Sequence, residues 1–278
     1  MTRRVNAAEG ALLQSRLFRK ILRGLGLASA MRSVSVKPDD VFIVSYPRSG
    51  NTWFRFLMAN LLHPDTNVDF TTIEGVIPDI YKNPDRRLRR LPSPRYLKSH
   101  EYFDPRYLKV IYLVRDPRAV SVSYYHYLRK ARFIPDNFGW ESFLPRFLDG
   151  TSYLPIGNWH DNVNSWISSG IGDSRLLLLR YEDLQAEPVV QLERVAAFLG
   201  RPRGEALIAN AVQKSDRRRM MDLERIQSDK WRTTRSTRQD IPFVRSTVDA
   251  WRDELPKWCF DEITSRWAPL MAALGYDV

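Results

Sequence analysis

Residues 41–53 read Val-Phe-Ile-Val-Ser-Tyr-Pro-Arg-Ser-Gly-Asn-Thr-Trp, and they form the most informative segment of the chain. The apolar, mostly β-branched start predicts a buried strand, Val41–Ser45. From Trp53 to Leu62 the apolar residues recur at helical spacing, so a strand, a tight polar loop and the start of a helix follow one another. This order is typical of phosphate sites, because backbone N–H groups and the positive end of the helix dipole point at one place.

The loop between the predicted strand and helix carries groups that bind anions. Arg48 supplies a charge and a fork of donors, Ser49 and Thr52 supply hydroxyls, and Gly50 lets the backbone approach an oxygen closely. The loop is not a Walker A sequence, because the cation precedes the glycine and Asn51 follows it. It therefore favours an anionic nucleotide over ordinary ATP or GTP chemistry. A plain strand–turn–helix corner with a surface arginine is the alternative.

The rest of the chain alternates short β-rich runs with helical patterns. The predicted strands are Val41–Ser45, Tyr96–Ser99, Lys109–Val114 and Arg175–Leu179. The predicted helices are Thr52–Leu62, Ala119–Arg129, Trp140–Leu148, Trp159–Ser168, Val189–Leu199 and Phe260–Leu274. This alternation predicts an α/β fold of the P-loop nucleotide-binding type, with a central parallel sheet flanked by helices. Segments 67–91 and 217–244 are polar and weakly periodic, so we expect a loop that covers a substrate and a lid.

Composition limits the domain count and the class of partner. A chain of 278 residues can bury one large core, so we expect a basic N-terminal segment, 1–35, and a single domain, 36–278. The formal charge of +11 predicts anionic partners. Basic and aromatic residues do not interleave as in nucleic-acid modules, so no nucleic acid is expected. The arginine clusters at 86–90 and 217–219 fit either a solvated surface or the border of an anionic ligand.

Further features concern location and metals. Residues 11–27 form a basic amphipathic pattern, which fits a helix packed on the domain, a partly ordered leader or a contact with a membrane surface. The sole cysteine, Cys259, excludes an intramolecular disulfide, fits a reducing compartment and reads as a core position. The four histidines lack metal-ligand spacing, and no apolar run is long enough to span a membrane. We expect a cytoplasmic protein without a metal, and peripheral membrane contact stays open.

Four later segments extend the pattern of the loop. They read Tyr-Leu-Lys-Ser-His at 96–100, Lys-Val-Ile-Tyr-Leu-Val-Arg-Asp-Pro-Arg at 109–118, Leu-Leu-Leu-Leu-Arg-Tyr-Glu-Asp-Leu at 176–184 and Phe-Val-Arg at 243–245. In this order and spacing, with the loop, they resemble the sulfotransferase family. That family transfers a sulfuryl group from 3′-phosphoadenosine 5′-phosphosulfate (PAPS) to an acceptor. The resemblance runs from about Val41 to the C-terminus.

The resemblance implies PAPS as co-substrate and assigns residues to its site. The loop that holds the 5′-phosphosulfate would comprise Arg48, Ser49, Gly50, Asn51, Thr52 and Trp53, with the Trp53 ring stacked on adenine. The 3′-phosphate would be bound by Arg115, Ser123 and Arg245. Further nucleotide contacts would come from Tyr181, Ser215, Met220, Phe243 and Val244. The partner would be an acceptor with a hydroxyl group, a small molecule, glycan or lipid, and the second product would be adenosine 3′,5′-bisphosphate (PAP).

The catalytic residues implied are His100, Lys98 and Arg48. The Pro47 loop, His100 and Arg115 each follow a predicted strand, so they should meet at one rim of the sheet. His100 would be the general base, because an unperturbed histidine has a pKa near neutrality. Lys98 and Arg48 would stabilise charge on the bridging oxygen. A satisfied structural histidine is the alternative reading, and His126 is the next candidate base.

The chain departs from the family pattern at two places. Many members carry lysine where Arg48 stands, and arginine keeps the charge but changes the shape of the group that would contact the leaving oxygen. Arg245 is followed by Ser and Thr instead of Lys and Gly, so the 3′-phosphate clamp is either looser or completed by one of Arg232, Arg235 and Arg238. The dimerisation motif of the cytosolic members is not recognisable, and the oligomeric state stays open.

Neighbours of the motifs are assigned structural roles. Asp116 and Arg118 are expected to make turn and surface contacts. Glu182 and Asp183 would open a helix. Two other functions are weighed: a P-loop kinase of a small metabolite, and a non-catalytic binder of anions. Comparing the binding of PAP with that of ATP, with and without Mg²⁺, distinguishes the sulfotransferase, the kinase and the non-catalytic binder.

Overall fold

A four-stranded parallel sheet forms the centre of the protein. The computed structural model describes residues 34–151, 156–169, 174–231, 233–244 and 250–278. The strands are β1 (Val41–Ser45), β2 (Tyr96–Ser99), β3 (Lys109–Val114) and β4 (Leu176–Arg180), in the spatial order β2-β1-β3-β4. The expectations for residues 1–33, for Arg232 and for Arg245 lie outside the described residues. The predicted fold class is confirmed, and β4 begins one residue later than expected.

The strands are apolar because both faces of the sheet are covered. In β1, Phe42 and Val44 join a core cluster on one face, whereas Val41 and Ile43 join a second cluster on the other. This alternation follows from the two-residue period of a strand. All five residues of β1 are buried, as expected for the central strand of a parallel sheet.

Twelve helices are described around the sheet. They are α1 (Asn51–Leu62), α2 (Ile73–Val76), α3 (Asp85–Arg89), α4 (Pro117–Lys130), α5 (Trp140–Leu148), α6 (Trp159–Ile167), α7 (Tyr181–Ala186), α8 (Pro188–Phe198), α9 (Glu205–Lys214), α10 (Arg217–Gln227), α11 (Trp251–Glu254) and α12 (Lys257–Ala273). Helices α4–α6, α11 and α12 contribute to the first core cluster, and α1, α2 and α7–α10 to the second. None of the described helices has the length and apolarity needed to cross a bilayer.

Two segments expected to be loops contain helices. Segment 67–91 includes α2 and α3, and segment 217–244 begins with α10, while α9 was not predicted. The stripe that α10 buries consists of Met220 and Glu224, and only one of these is apolar, so no hydrophobic period is visible in the sequence. Asp216 caps α10 by accepting a hydrogen bond from the Arg218 N–H.

The expected surface position of Asp116 and Arg118 is wrong. Both are buried, and Arg118 Nη2 lies 2.7 Å from Asp116 Oδ2. Asp116 also caps α4, and the Arg118 guanidinium stacks on the Phe260 ring at 4.6 Å. The pair is buried because α12 packs over the start of α4. Glu182 lies in the first turn of α7, as expected, and accepts a hydrogen bond from the Asp116 N–H.

Candidate active site

The loop after β1 turns sharply into α1. Arg48 and Gly50 both have positive φ, of 70° and 90°. A Cβ added at Gly50 would lie 2.3 Å from Tyr181 Cδ2, far inside contact distance. Only glycine therefore fits at this position, because it removes both the backbone strain and the clash. The loop and the Tyr181 ring are in direct contact as a result.

A cavity of about 800 Å³ opens at the carboxyl ends of the strands. It brings together nearly all of the site residues predicted from the sequence. Its lining includes Arg48, Gly50, Asn51, Thr52, Trp53, Lys98, His100, Arg115, Ser123, Tyr181, Ser215, Met220, Phe243 and Val244. Ser49 is buried in the loop behind this lining. The parallel sheet explains the gathering, since its loops share one edge.

One end of the cavity is cationic and carries donors without partners. Arg48 Nε donates to Ser123 Oγ at 3.1 Å, and Arg115 Nη1 donates to the Arg48 carbonyl at 3.3 Å. Arg115 Nε is buried and has no hydrogen-bond partner among the described residues, and the same is true of Ser49 Oγ in the loop behind the lining. Buried polar groups are rarely left unpaired, so these donors fit an anionic group such as a phosphate.

Arg48 connects three parts of the site. Besides Ser123 on α4, its guanidinium donates to the Phe243 carbonyl at 3.4 Å and lies 4.2 Å from the Phe243 ring centroid. Tyr127, one turn after Ser123, contributes a second ring at 5.2 Å. The side chain thus contacts Ser123, which is predicted to bind the 3′-phosphate, and Phe243, which with Val244 forms one wall of the cavity.

An aromatic wall adjoins the cationic end. Trp53 Nε1 donates to the Ser215 carbonyl at 2.9 Å, and the Trp53 ring meets the Tyr181 ring edge to face at 5.8 Å. Asn60 Nδ2 donates to Ser215 Oγ at 3.0 Å, which ties α9 to α1. Tyr181 also carries the Arg115 guanidinium over its ring at 4.4 Å. Flat rings beside a phosphate-binding end suit a nucleobase.

Glu224, which was not predicted from the sequence, holds the backbone of Phe243 and Val244 in the cavity wall. Its two carboxylate oxygens accept hydrogen bonds from the backbone N–H groups of Phe243 and Val244, at 2.6 and 2.7 Å. Lys130 Nζ lies 3.6 Å from the same carboxylate. The only available signal was spacing, since Glu224 stands four residues after Met220 on the same face of α10.

The hydrogen bonds of His100 define its tautomer. Nδ1 lies 2.7 Å from the Ser45 carbonyl, which can only accept, so the proton of the neutral ring sits on Nδ1. Nε2 has no hydrogen-bond partner among the described residues, and His100 lines the cavity. Tyr81 stacks parallel to the ring at 6.0 Å, and its hydroxyl accepts from the His100 backbone N–H. The imidazole is thus held with its basic nitrogen available.

The surroundings of His100 move its pKa away from the near-neutral value of an unperturbed histidine. Burial, and next the charge of Lys98, lower the pKa of His100 to about 3. Both effects disfavour the imidazolium. The ring is therefore neutral at physiological pH and able to accept a proton. A base of such low pKa has less driving force than an unperturbed histidine.

Lys98 is paired with a residue that sequence reasoning also missed. Its Nζ lies 2.6 Å from Asp79 Oδ2, and the Lys98 and Asp79 side chains are 13% and 3% exposed. Burial lowers the pKa of Lys98. Burial by itself would raise the pKa of Asp79, but the charges of Lys98 and Arg55 outweigh it and lower the pKa of Asp79 to about 2. Asp79 lay in a segment read as a polar loop, with nothing in its spacing to single it out.

The arginine clusters have different environments. Arg217 and Arg218 line the cavity, so that cluster borders the candidate ligand site. In the other cluster, Arg89 pairs with Asp85 at 2.7 Å, and Arg87 donates to Asn83. Among the described residues, no group of three or more His, Cys, Asp or Glu side chains is placed to hold a metal ion.

Comparisons with known proteins agree on one family. Residues 38–275 match the family model described as a sulfotransferase domain. Sulfotransferase 1 family member D1 of mouse (Mus musculus) is 31% identical over 188 residues, which span 62% of this chain and 62% of that relative. Sulfotransferase 1A1 of dog (Canis lupus familiaris) is 30% identical over 224 residues, 72% of this chain and 75% of the relative. The crystal structure of mouse sulfotransferase SULT7A1 complexed with PAP is 26% identical, with a TM-score of 0.63, and the match covers 84% of this chain and 85% of that one.

Proposed function

This chain belongs to the sulfotransferase family, and from that premise we propose that its cavity joins a PAPS site to an acceptor site at His100. The protein is a PAPS-dependent sulfotransferase. In the reaction the acceptor oxygen forms a bond to sulfur, and the bond from sulfur to the 5′-phosphate oxygen breaks. PAP leaves with the electron pair of that bond, and the acceptor proton passes to a base. The observation that carries the proposal is the free, unprotonated Nε2 of His100 in the same cavity as the cationic loop.

The cationic end is proposed to hold both phosphate groups. The loop from Arg48 to Trp53 presents backbone N–H groups at the start of α1 and suits the 5′-phosphate. Arg115 and Ser123 are assigned to the 3′-phosphate, and the unpartnered Arg115 Nε supports this assignment. Arg245, the further cation proposed there, lies outside the described residues. PAPS supplies the sulfuryl group as co-substrate, and the chain supplies charge and orientation.

His100 is proposed to take the acceptor proton on Nε2. Its bond to Ser45 keeps Nδ1 protonated, so the ring can accept at one nitrogen only. His126 is a poorer candidate, because its Nε2 lies 2.5 Å from Glu254 Oε2. The low pKa of His100 predicts that acidic hydroxyls, such as phenols, react faster than aliphatic alcohols. The acceptor itself is proposed only as a compound with a hydroxyl group.

The proposed base is tested with His100→Asn, since Asn can still donate to the Ser45 carbonyl. We expect turnover with labelled PAPS and a panel of phenols and alcohols to fall about 10²–10⁴-fold. PAP affinity should stay within a few-fold, because the imidazole faces the acceptor. The matched control is His63→Asn, at an exposed position after α1. Near-normal turnover by a folded His100→Asn variant that binds PAP would rule out this role.

The proposed nucleotide site is tested by calorimetry with PAP, AMP and ATP, with and without Mg²⁺. We expect PAP to bind much more tightly than AMP, and Arg115→Ala to remove most of that preference, each tenfold loss corresponding to about 1.4 kcal/mol. Equal affinity for PAP and AMP in the wild type would remove the assignment of the 3′-phosphate site. Activity that depends on Mg²⁺ and ATP would favour the kinase alternative.

A further inference from the structure

We propose that Asp79 is a positioning residue for sulfuryl transfer, which holds the Lys98 ammonium in place and in its charged form beside His100. The inference rests on the proposed function, in which Lys98 stabilises negative charge on the leaving oxygen. Asp79 Oδ2 lies 2.6 Å from Lys98 Nζ, and both side chains line the cavity. Asp79 is assigned no contact with substrate, so it acts through Lys98.

The backbone around Asp79 is held in register with β2. The Lys98 N–H donates to the Pro78 carbonyl at 2.9 Å, and the Ile80 N–H donates to the Lys98 carbonyl at 3.1 Å. Residues 78–80 therefore extend the edge of the sheet by one short parallel bridge, Asp79 to Lys98. This pairing places the Asp79 carboxylate directly beside the Lys98 side chain. The contact is a consequence of sheet pairing and does not resemble a mobile surface ion pair.

The Asp79 carboxylate is also held by its neighbours. Asp79 Oδ1 accepts from the Tyr81 N–H at 2.9 Å, and the Asp79 N–H donates to Glu74 Oε2 at 2.9 Å. Glu74 pairs in turn with Arg55 at 2.9 Å, and the Arg55 side chain is 1% exposed. With two cations and two carboxylates, the cluster of Arg55, Glu74, Asp79 and Lys98 is formally neutral. A buried charge cluster is tolerable only when it is paired in this way.

The charge of Asp79 determines how readily Lys98 keeps its proton. The charged groups that act on Lys98 are Asp79 and Glu74, which favour the ammonium, and Arg55, which disfavours it. His100 is neutral and adds no charge at physiological pH. Without Asp79, the buried ammonium would face Arg55 with only the more distant Glu74 to compensate, so it would lose its proton at lower pH. The neutral amine could not stabilise the leaving oxygen.

The test substitutes Asp79→Asn, which keeps the shape and removes the charge. We expect kcat to fall about 10- to 100-fold, PAP affinity to change little, and the alkaline limb of the pH–rate profile to move about one pH unit lower or more. The matched control is Asp104→Asn, at another buried aspartate, which pairs with the more exposed Arg106 at the same 2.6 Å and lies outside the cavity lining. The control should keep the wild-type profile. An Asp79→Asn enzyme with wild-type kcat and an unmoved alkaline limb would overturn the inference.

Two further measurements keep the test decisive. If Asp79→Asn does not fold, Lys98→Met is compared with the double variant Lys98→Met, Asp79→Asn, in which the remaining Arg55–Glu74 pair is still neutral. No additional loss in the double variant supports action through Lys98, whereas an additive loss overturns it. Competitive acylation of Lys98 as a function of pH reports its pKa without turnover. An unchanged Lys98 pKa in Asp79→Asn refutes the inference, while a wild type that transfers no sulfuryl group refutes the proposed function alone.

Discussion

Gly50→Ala is expected to damage the fold and the nucleotide site together. The substitution places a side chain on a residue with φ of 90°, and its Cβ would lie 2.3 and 2.5 Å from two Tyr181 ring atoms. Left-handed backbone costs a non-glycine residue roughly 1–2 kcal/mol. Forcing the ring away adds about 1–3 kcal/mol, as in other overpacked sites. The free energy of unfolding should therefore fall by roughly 2–5 kcal/mol.

The displaced ring carries the functional consequence. Tyr181 must retreat by about 1 Å to restore an ordinary contact of 3.4 Å, and it packs against both Trp53 and Arg115. PAP affinity should consequently drop at least about tenfold, equivalent to 1.4 kcal/mol.

Gly200→Ala provides the control for backbone strain alone. Gly200 has φ of 65°, and a Cβ there would meet no atom within 4 Å. Its cost should be about 1–2 kcal/mol, without an effect on PAP. Urea unfolding and calorimetry with PAP measure both quantities. If the two variants lost equal stability and bound PAP equally well, the argument from the Tyr181 contact would be refuted.

Three other predictions follow from buried titratable groups. Glu224 accepts hydrogen bonds from the Phe243 and Val244 N–H groups with its two carboxylate oxygens, whereas the amide in Glu224→Gln offers only one oxygen. PAP affinity measured by calorimetry should therefore fall about tenfold, while kcat at saturating PAPS stays near normal. Unaltered PAP affinity would contradict this role of Glu224. The folded-state pKa of His100 is lowered to about 3, so its contribution to stability is lost as pH falls below 6.5, by up to about 1.4 kcal/mol per pH unit. Urea unfolding of His100→Asn at pH 7 and pH 5 should therefore show a smaller acid loss than the wild type, and equal losses would count against the low pKa. Burial raises the pKa of Cys259 to about 12, so a thiol reagent at pH 8 should label it only after unfolding, and rapid labelling of the native protein would disprove its burial.

Much of the architecture can be predicted from short segments of the sequence. The β-branched run 41–44 and the polar loop after it predict a strand that leads into a helix, and α1 begins at Asn51, one residue before the expected start. The four strands were predicted because a sheet buried on both faces needs continuous apolar runs. The rule that loops at one sheet edge converge was enough to place Arg48, His100 and Arg115 in one cavity.

The pairing of charged groups that are far apart in the chain required the folded structure. Asp79 and Lys98 are brought together by a bridge at the sheet edge, and Glu224 meets the N–H groups of Phe243 and Val244 because α10 packs beneath them. The pKa of His100 depends likewise on burial and on Lys98, and its residue type alone suggested near neutrality. Periodicity shows which faces of an element are apolar, so the strands, the anion-binding loop and the class of chemistry could all be predicted from sequence alone. Electrostatic pairing and burial depend on distances between residues far apart in the chain, and those distances exist only in the folded protein.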